Sequence, residues 1–179
     1  MPSQEQSLNL QERAHPCAVW FRRDLRLDDN RCLQEAFKRS KGRIIPIYVL
    51  DPREHEPNLL GWPKCGAYRG QFLLEALSDL RMKFKRMGSD LVVRIGPPEE
   101  ILPNLVDQHG ATHLYTLDPQ DHREAEVIRL VSEGCYREGV EFVEIEGSTL
   151  YDYSRIPFAE GELPQSFIEF RKILERDAS

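Results

Sequence analysis

The chain has 179 residues, of which 40% are hydrophobic and 30% charged, with a formal net charge of −6 at pH 7. That is the size of one globular domain, burying on the order of 70% of its unfolded surface. No apolar run approaches the roughly 20 residues of a membrane span, and the acidic balance argues against a whole-surface grip on nucleic acid.

Residues 1–15 are polar, with neither the basic start nor the apolar stretch of a secretory signal, and read as a loosely attached tail before a domain over 16–179. Short apolar runs then alternate with amphipathic stretches. The runs are Ala18–Phe21, Ile44–Leu50, Leu91–Ile95, His113–Leu117 and Val140–Ile145, short and rich in β-branched or aromatic residues, as buried parallel strands are. Pro46 marks the start of its strand or a flank left unpaired. Asp28 or Asp29 is expected to cap a helix from about Asn30 to Ser40. The longest helix is expected over Tyr68 to Met87, with Leu73, Ala76, Leu77, Leu80, Phe84 and Met87 inward and Gly88 closing it. Pro97 and Pro98 open a third helix, with Ile101, Leu102, Leu105 and Val106 buried. A fourth spans about Gln120 to Arg137, with Val127, Leu130 and Val131 inward. This order implies an α/β fold, a doubly wound, Rossmann-like, five-stranded parallel sheet. A C-terminal extended segment, Gly147 to Gln165, and a terminal helix, Ser166 to Arg176, follow.

The four cysteines, Cys17, Cys32, Cys65 and Cys135, show no C-x-x-C spacing, so no metal site is expected and a reducing compartment, the cytoplasm, is the default. Cys17 and Cys135 are expected as small buried hydrophobes. Charge is uneven: Arg13 to Arg43 carries a net +5 and Asp118 to Glu162 a net −8. A basic patch beside an acidic flank, or two solvated surfaces, both fit this pattern.

In a doubly wound sheet, ligands bind beyond the carboxyl ends of the strands, at the switch point of strand order. That rule gathers Phe21, Arg22, Arg23, Leu50, Asp51, Arg53, Gly96 and Asp118 around one crevice. The long loop from Asp51 to Gly66, with Trp62 in it, is a candidate wall or lid. The first strand-to-helix turn, Arg22 to Asn30, has no glycine to admit a pyrophosphate, and no G-x-x-x-x-G-K-[ST] occurs, so standard NAD-binding and nucleotide-hydrolysing readings are rejected. No G-x-S-x-G elbow is present, and the five histidines form no metal pair; His113, in a strand, is expected to be buried or hydrogen-bonded. Arg22, Asp24 and Arg26 alternate beyond the first strand. They either line an anion-binding crevice or hold the loop through an arginine–carboxylate fork.

Several segments, in order, resemble the photolyase/cryptochrome family. They are Trp20-Phe21-Arg22-Arg23-Asp24-Leu25-Arg26-Leu27-Asp28-Asp29-Asn30, Tyr48-Val49-Leu50-Asp51-Pro52, the helix Arg69 to Leu80, and Gly96 to Leu102. Gly147-Ser148-Thr149-Leu150-Tyr151 before Ile156-Pro157-Phe158, Leu163-Pro164, and Phe167-x-x-Phe170-Arg171-Lys172 follow, and these last groups are most similar to DASH-type cryptochromes. The resemblance covers about Cys17 to Glu175.

It implies the N-terminal α/β domain of that family, which carries a light-harvesting antenna cofactor, with the helical domain that holds FAD and the DNA-lesion pocket absent from this chain. The domain alone is then expected to be non-catalytic. Implied cofactor-binding residues are Phe21, Arg22, Leu50, Asp51, Arg69, Asp118 and Asp121. In DASH relatives a glutamate after the fourth strand contacts a folate; Pro119 stands at that position here, so methenyltetrahydrofolate is disfavoured and a flavin, a deazaflavin or another planar or nucleotide-like ligand is expected, through Asp51 and Arg69. Asp118 or Asp121 is the remaining substitute for the glutamate. The implied partner is a separate FAD-containing or other light-related protein, with DNA binding weak or none. Two alternatives stay open: the N-terminal portion of a photolyase or DASH cryptochrome, and a cofactor-free interaction scaffold.

Overall fold

The structure, a computed structural model, describes residues 15–57, 61, 62, 64–119, 121–147, 149, 156–158 and 161–177. The chain divides into two compact units, split after Ile145. The expected tail lies outside the described residues except for His15, as does part of the expected extended segment.

The first unit alternates strand and helix. Its strands are β1 (Cys17–Phe21), β2 (Ile44–Leu50), β3 (Val92–Ile95), β4 (His113–Leu117) and β5 (Glu141–Ile145). Between them run α1 (Arg31–Ser40), a short 3-10 turn (Pro52–Glu54), α2 (Ala67–Arg86), α3 (Pro98–Gln108) and α4 (His122–Arg137). All strand pairs are parallel, in the order β3-β2-β1-β4-β5. The order reverses between β1 and β4, so this is the doubly wound sheet the pattern of elements implies.

Side-chain alternation splits the core into two layers. Ala18, Trp20, Ile47, Val49 and Leu114 pack with Leu102, Val106, Ile128 and Val131 of α3 and α4. Val19, Phe21, Tyr48 and Tyr115 pack with Cys32, Ala36, Leu77, Leu80 and Phe84 of α1 and α2. The two helices of the first layer touch closely: a Cβ on Gly134 of α4 would fall 2.4 Å from Pro103 Cγ of α3. Cys17, Cys32 and Cys135 are wholly buried, and burial pushes the Cys32 and Cys135 thiols up to about 12.

Several local expectations need correction. Asn30, not Asp28 or Asp29, caps α1, its side chain accepting from Leu33 N at 3.0 Å, because Asp29 occupies a left-handed turn with φ of 49°. For Pro46 the second expectation holds: it sits within β2 opposite Val19, and pairing with β3 starts only at Ile47. The missing amide therefore falls where that flank is unpaired. Met87 is 61% exposed, because the helix ends at Arg86 and Gly88, with φ of 79°, turns the chain away. In α4 the buried positions are Ile128, Val131, Gly134 and Cys135, with the expected Val127 half-buried against the same core.

In the second unit, α5 (Phe167–Asp177) carries Phe170, stacked on Phe158 at 5.6 Å and on Phe167 at 6.4 Å.

Candidate functional site

The switch point lies between the carboxyl ends of β1 and β4, and the side chain of Arg22 spans it. Its Nε donates to Thr116 Oγ1 at 3.2 Å, and its Nη2 donates to the carbonyls of Leu117 and, at 3.1 Å, Asp118. Its Nη1 is 3.1 Å from Glu124 Oε2, and the guanidinium lies over the Trp20 ring, 5.3 Å from its centre. Arg23 adds a second contact to Glu124 at 2.6 Å. One arginine thus joins the end of β1 to the end of β4 and to the first turn of α4.

The loop beyond is held by Asp24, 4% exposed, whose carboxylate accepts from Arg22 N at 3.0 Å and from Asn30 Nδ2 at 3.0 Å. The loop-holding alternative for the Arg22, Asp24 and Arg26 alternation therefore describes Asp24. Its partners are a backbone amide and an asparagine rather than an arginine fork.

Beside this strut, toward β2, lies a crevice of about 780 Å³. Its walls are Trp20 and Val49 from one core layer, Tyr48, Leu25 and Leu73 from the other, and Phe72, Pro98 and Val127 from the helices. The loop after β2 forms one side through Asp51, Arg53, Glu54, His55, Glu56, Lys64 and Cys65. Lys64 Nζ donates to Arg53 O at 2.7 Å, tying the far end of that loop to its start. Concave, largely apolar spaces with a few polar groups are where planar ligands bind.

Most charges here are already engaged. The Arg53 guanidinium contacts both oxygens of Asp51, at 2.7 to 3.0 Å, and both of Glu99, at 2.8 and 2.9 Å. These hydrogen bonds raise its already high basicity further. Glu126 is held by Arg129 at 2.8 Å. Arg69 of α2 and Arg123 of α4 line the crevice with no ion pair among the described residues. Burial, then Glu54, pushes the Tyr48 phenol up, with Arg69 acting in the opposite sense, so the phenol stays protonated at neutral pH. The Trp20 indole N–H, buried in the wall, has no acceptor among the described residues.

The residues expected at the site separate into two groups. Arg22, Asp51 and Arg69 line the crevice. Phe21, Leu50, Asp118 and Asp121 are not among its described lining residues. Phe21 points into the α1/α2 layer, edge-on to Phe84 at 5.8 Å, because its neighbour Trp20 takes the opposite face. Leu50 packs on the same layer, and its carbonyl accepts from Gly96 N at 3.1 Å. Asp118 contributes a carbonyl to Arg22. Asp121 caps α4, accepting from Arg123 N and Glu124 N at 2.9 Å each, and these bonds hold its carboxyl below the usual range. Sequence reasoning misses Trp20, Tyr48, Phe72, Val127 and Arg123. Trp20 is the neighbour of Phe21 on the opposite face, so alternation points to it, and Arg123 lies in the first turn of a helix at the carboxyl edge, where the strand-end rule points; Tyr48, on the same face as Leu50, has no such signal. Among the described residues, no group of three His, Cys, Asp or Glu side chains is placed to hold a metal, and no helix is long and apolar enough to cross a membrane.

The sequence profile of the DNA photolyase family matches residues 17–179. The chain belongs to that family. It is 41% identical over 164 residues to cryptochrome DASH, chloroplastic/mitochondrial, from Arabidopsis thaliana, covering 90% of this chain and 29% of that protein. It is 39% identical over 158 residues to cryptochrome DASH from Xenopus laevis, covering 87% of this chain and 30% of the relative. Among solved structures, a Synechocystis cryptochrome superimposes with a TM-score of 0.85 at 33% identity, over 90% of this chain and 33% of that one. An archaeal photolyase from Sulfolobus tokodaii, described with two FAD molecules and a novel light-harvesting cofactor, shares the fold at a TM-score of 0.70 and 23% identity. The chain spans about a third of the length of these relatives and corresponds to the α/β, N-terminal domain of the family.

The crevice thus combines an apolar and aromatic wall, a protonated phenol, and two arginines without ion pairs among the described residues, Arg69 and Arg123. Pro119 follows β4, and Asp121 beyond it is committed to capping α4.

Proposed function

We propose that this domain binds a planar chromophore of the flavin or deazaflavin class in the crevice beside Arg22, and that it is non-catalytic by itself. The observation that carries this reading is the 780 Å³ space at the strand ends, walled by Trp20, Tyr48, Phe72 and Leu73, with Arg69 at its rim in no ion pair among the described residues. When bound, such a group supplies absorption of near-UV or blue light. The protein's own residues bind and orient it: Tyr48 offers a hydrogen-bond donor, the apolar walls exclude water from the ring faces, and Arg69 attracts negative charge.

Because the chain spans about a third of its relatives, the light-related role is that of one part of a photolyase- or DASH-cryptochrome-type protein. Any FAD-dependent repair then falls to a separate helical domain, on the same or another chain, with DNA held weakly or not at all by the α/β domain.

The chain has two tryptophans, Trp20 at 3% and Trp62 at 70% exposure. In Trp62→Phe, Trp20 in the crevice wall becomes the sole indole reporter. Titration with riboflavin-type flavins or a deazaflavin is expected to quench its fluorescence, and freshly purified protein is expected to carry blue absorption that leaves on denaturation. Methenyltetrahydrofolate is expected to have no effect. A colourless protein whose Trp20 emission ignores all three ligand classes overturns the reading in favour of a cofactor-free scaffold.

A further inference from the structure

The sheet has two outer strands, β3 and β5, and their free edges differ. In a parallel strand, alternate residues turn both backbone groups toward the same neighbour. Gly96 N donates to Leu50 O at 3.1 Å, so Val92 and Arg94 turn to β2, and Leu91, Val93 and Ile95 turn outward. The Leu91 amide is taken by Asp90 Oδ1 at 2.9 Å, and the Val93 carbonyl by Arg94 Nη1 at 3.0 Å. The Val93 amide and both backbone groups of Ile95 have no partner among the described residues.

On β5, Glu141 and Glu144 are exposed, one on each face, and guard that edge against another strand with charge. On β3, Ile95 is 72% exposed and Arg94 is the single charge. Leu74, Ser78, Arg81 and Lys85 form one stripe of α2 at helical spacing. Arg81 bonds Asp90 at 2.7 and 2.9 Å, which brings this stripe beside the foot of β3. Leu74, 62% exposed, lies farther along the stripe, toward the end of β3 that carries Ile95, because α2 runs opposite to the strands. Arg81, Lys85 and Arg94 thus stand against Asp90, beside open backbone groups and exposed aliphatic side chains. None of these residues is among the described lining of the crevice.

We propose that the β3 edge takes an extended segment of a partner protein as an added strand, with aliphatic and acidic residues alternating along it. Its main chain bonds Val93 and Ile95. Its aliphatic side chains pack beside Val93, Ile95 and Leu74 on the α2 face, and its acids lie beside Arg94 on the other face. Arg94 then exchanges the Val93 carbonyl for a carboxylate. The β3 edge of a second copy would set cations against cations, and a nucleic acid would leave Ile95 and Leu74 uncovered.

Titration of the isotope-labelled protein with the hexapeptide acetyl-Val-Glu-Val-Glu-Val-Glu-amide, read by amide NMR and hydrogen exchange, tests the proposal. The Val93 and Ile95 amides are expected to shift and to gain about tenfold protection once nearly all sites are filled, while those of Val92 and Arg94, already bonded to β2, exchange slowly throughout. The same peptide with lysine in place of glutamate is expected to bind about fivefold more weakly, and Arg94→Glu to remove or reverse that preference. Val93→Pro deletes an outward amide and no bond to β2, so it should keep the fold and lose binding. Arg94→Glu leaves the backbone unaltered and decides the matter if the proline variant does not fold. No shift at millimolar peptide, no protection at Val93 and Ile95, equal binding of the two peptides, or binding that survives Val93→Pro overturns the proposal. So do β3 signals that move with protein concentration alone, which assign the edge to a second copy, and equal shifts with a thymidine oligonucleotide, which make it a site for any polyanion. Each of these outcomes leaves the crevice reading untouched.

Discussion

Two places at the carboxyl edge of the sheet, one strand apart, use the same kinds of residue for opposite ends. At the β1–β4 junction, Arg22, Asp24, Asn30, Thr116, Asp121 and Glu124 are bonded to one another or to backbone, and nothing is left for a ligand. In the β1–β2 crevice, Arg69, Arg123, Glu54 and Glu56 face an open space without ion-pair partners among the described residues. An arginine beside a cavity therefore says little about binding until its hydrogen bonds are counted. A guanidinium has five donors, and Arg22, with contacts to two carbonyls, a hydroxyl and a carboxylate, is a strut.

The sharpest way to break this contrast is Arg22→Met. The substitution removes the bonds to Leu117, Asp118 and Thr116 and the stack on Trp20, while Glu124 keeps Arg23. Urea unfolding is expected to show a loss of about 2–3 kcal/mol, the strength of a part-buried charged network that keeps one counter-charge. A loss under about 0.5 kcal/mol would make Arg22 an ordinary crevice arginine. Asp24→Ala should follow at about 1–2 kcal/mol, since it leaves the Arg22 amide and the Asn30 side chain without their acceptor. A variant as stable as the parent would show that the loop does not depend on it.

The amino end of the sheet sharpens the comparison by pH. Burial, then Arg39, holds His113 below its ordinary value of 6.5, although Glu141 Oε2 lies 2.9 Å from Nε2 without a well-aligned hydrogen bond. The unfolded chain then binds the proton more readily than the folded one. The stability this neutral histidine contributes is complete above pH 6.5 and is lost as pH falls below it. Thermal midpoints measured downward from pH 7 should fall less in His113→Gln than in the parent, and parallel curves would remove the effect. Smallest of all, Arg69→Gln and Arg123→Gln should each change stability by less than about 0.5 kcal/mol, as exposed substitutions without partners do. A large loss in either would mean that the crevice arginines are structural too.

Much of this architecture is legible in one chain. Apolar runs of four to seven residues separated by amphipathic stretches imply a parallel, doubly wound sheet, and the structure has it. The errors are local and have local causes. Asp28 or Asp29 as the cap of α1 lies one or two positions early, because any of three adjacent polar residues can cap and only the left-handed turn at Asp29 decides. At the site, naming Phe21 and Leu50 follows from proximity to the strand ends. Strand alternation turns both side chains into the α1/α2 layer and puts their neighbours Trp20 and Val49 on the other face, where they line the crevice; Tyr48 shares Leu50's face but lines the crevice too.

By itself, then, the sequence determined the layered α/β class, the lack of a glycine-rich phosphate turn and which residues stand at the carboxyl edge of the sheet, because periodicity and backbone chemistry are local properties. Which arginines are struts and which stand apart from any carboxylate was decided only by the tertiary structure. Arg22 reaches partners 94 to 96 residues away, while Arg69 and Arg123 meet no carboxylate at ion-pair distance among the described residues. Hydrogen-bond saturation depends on distances across the fold, and sequence spacing does not encode them.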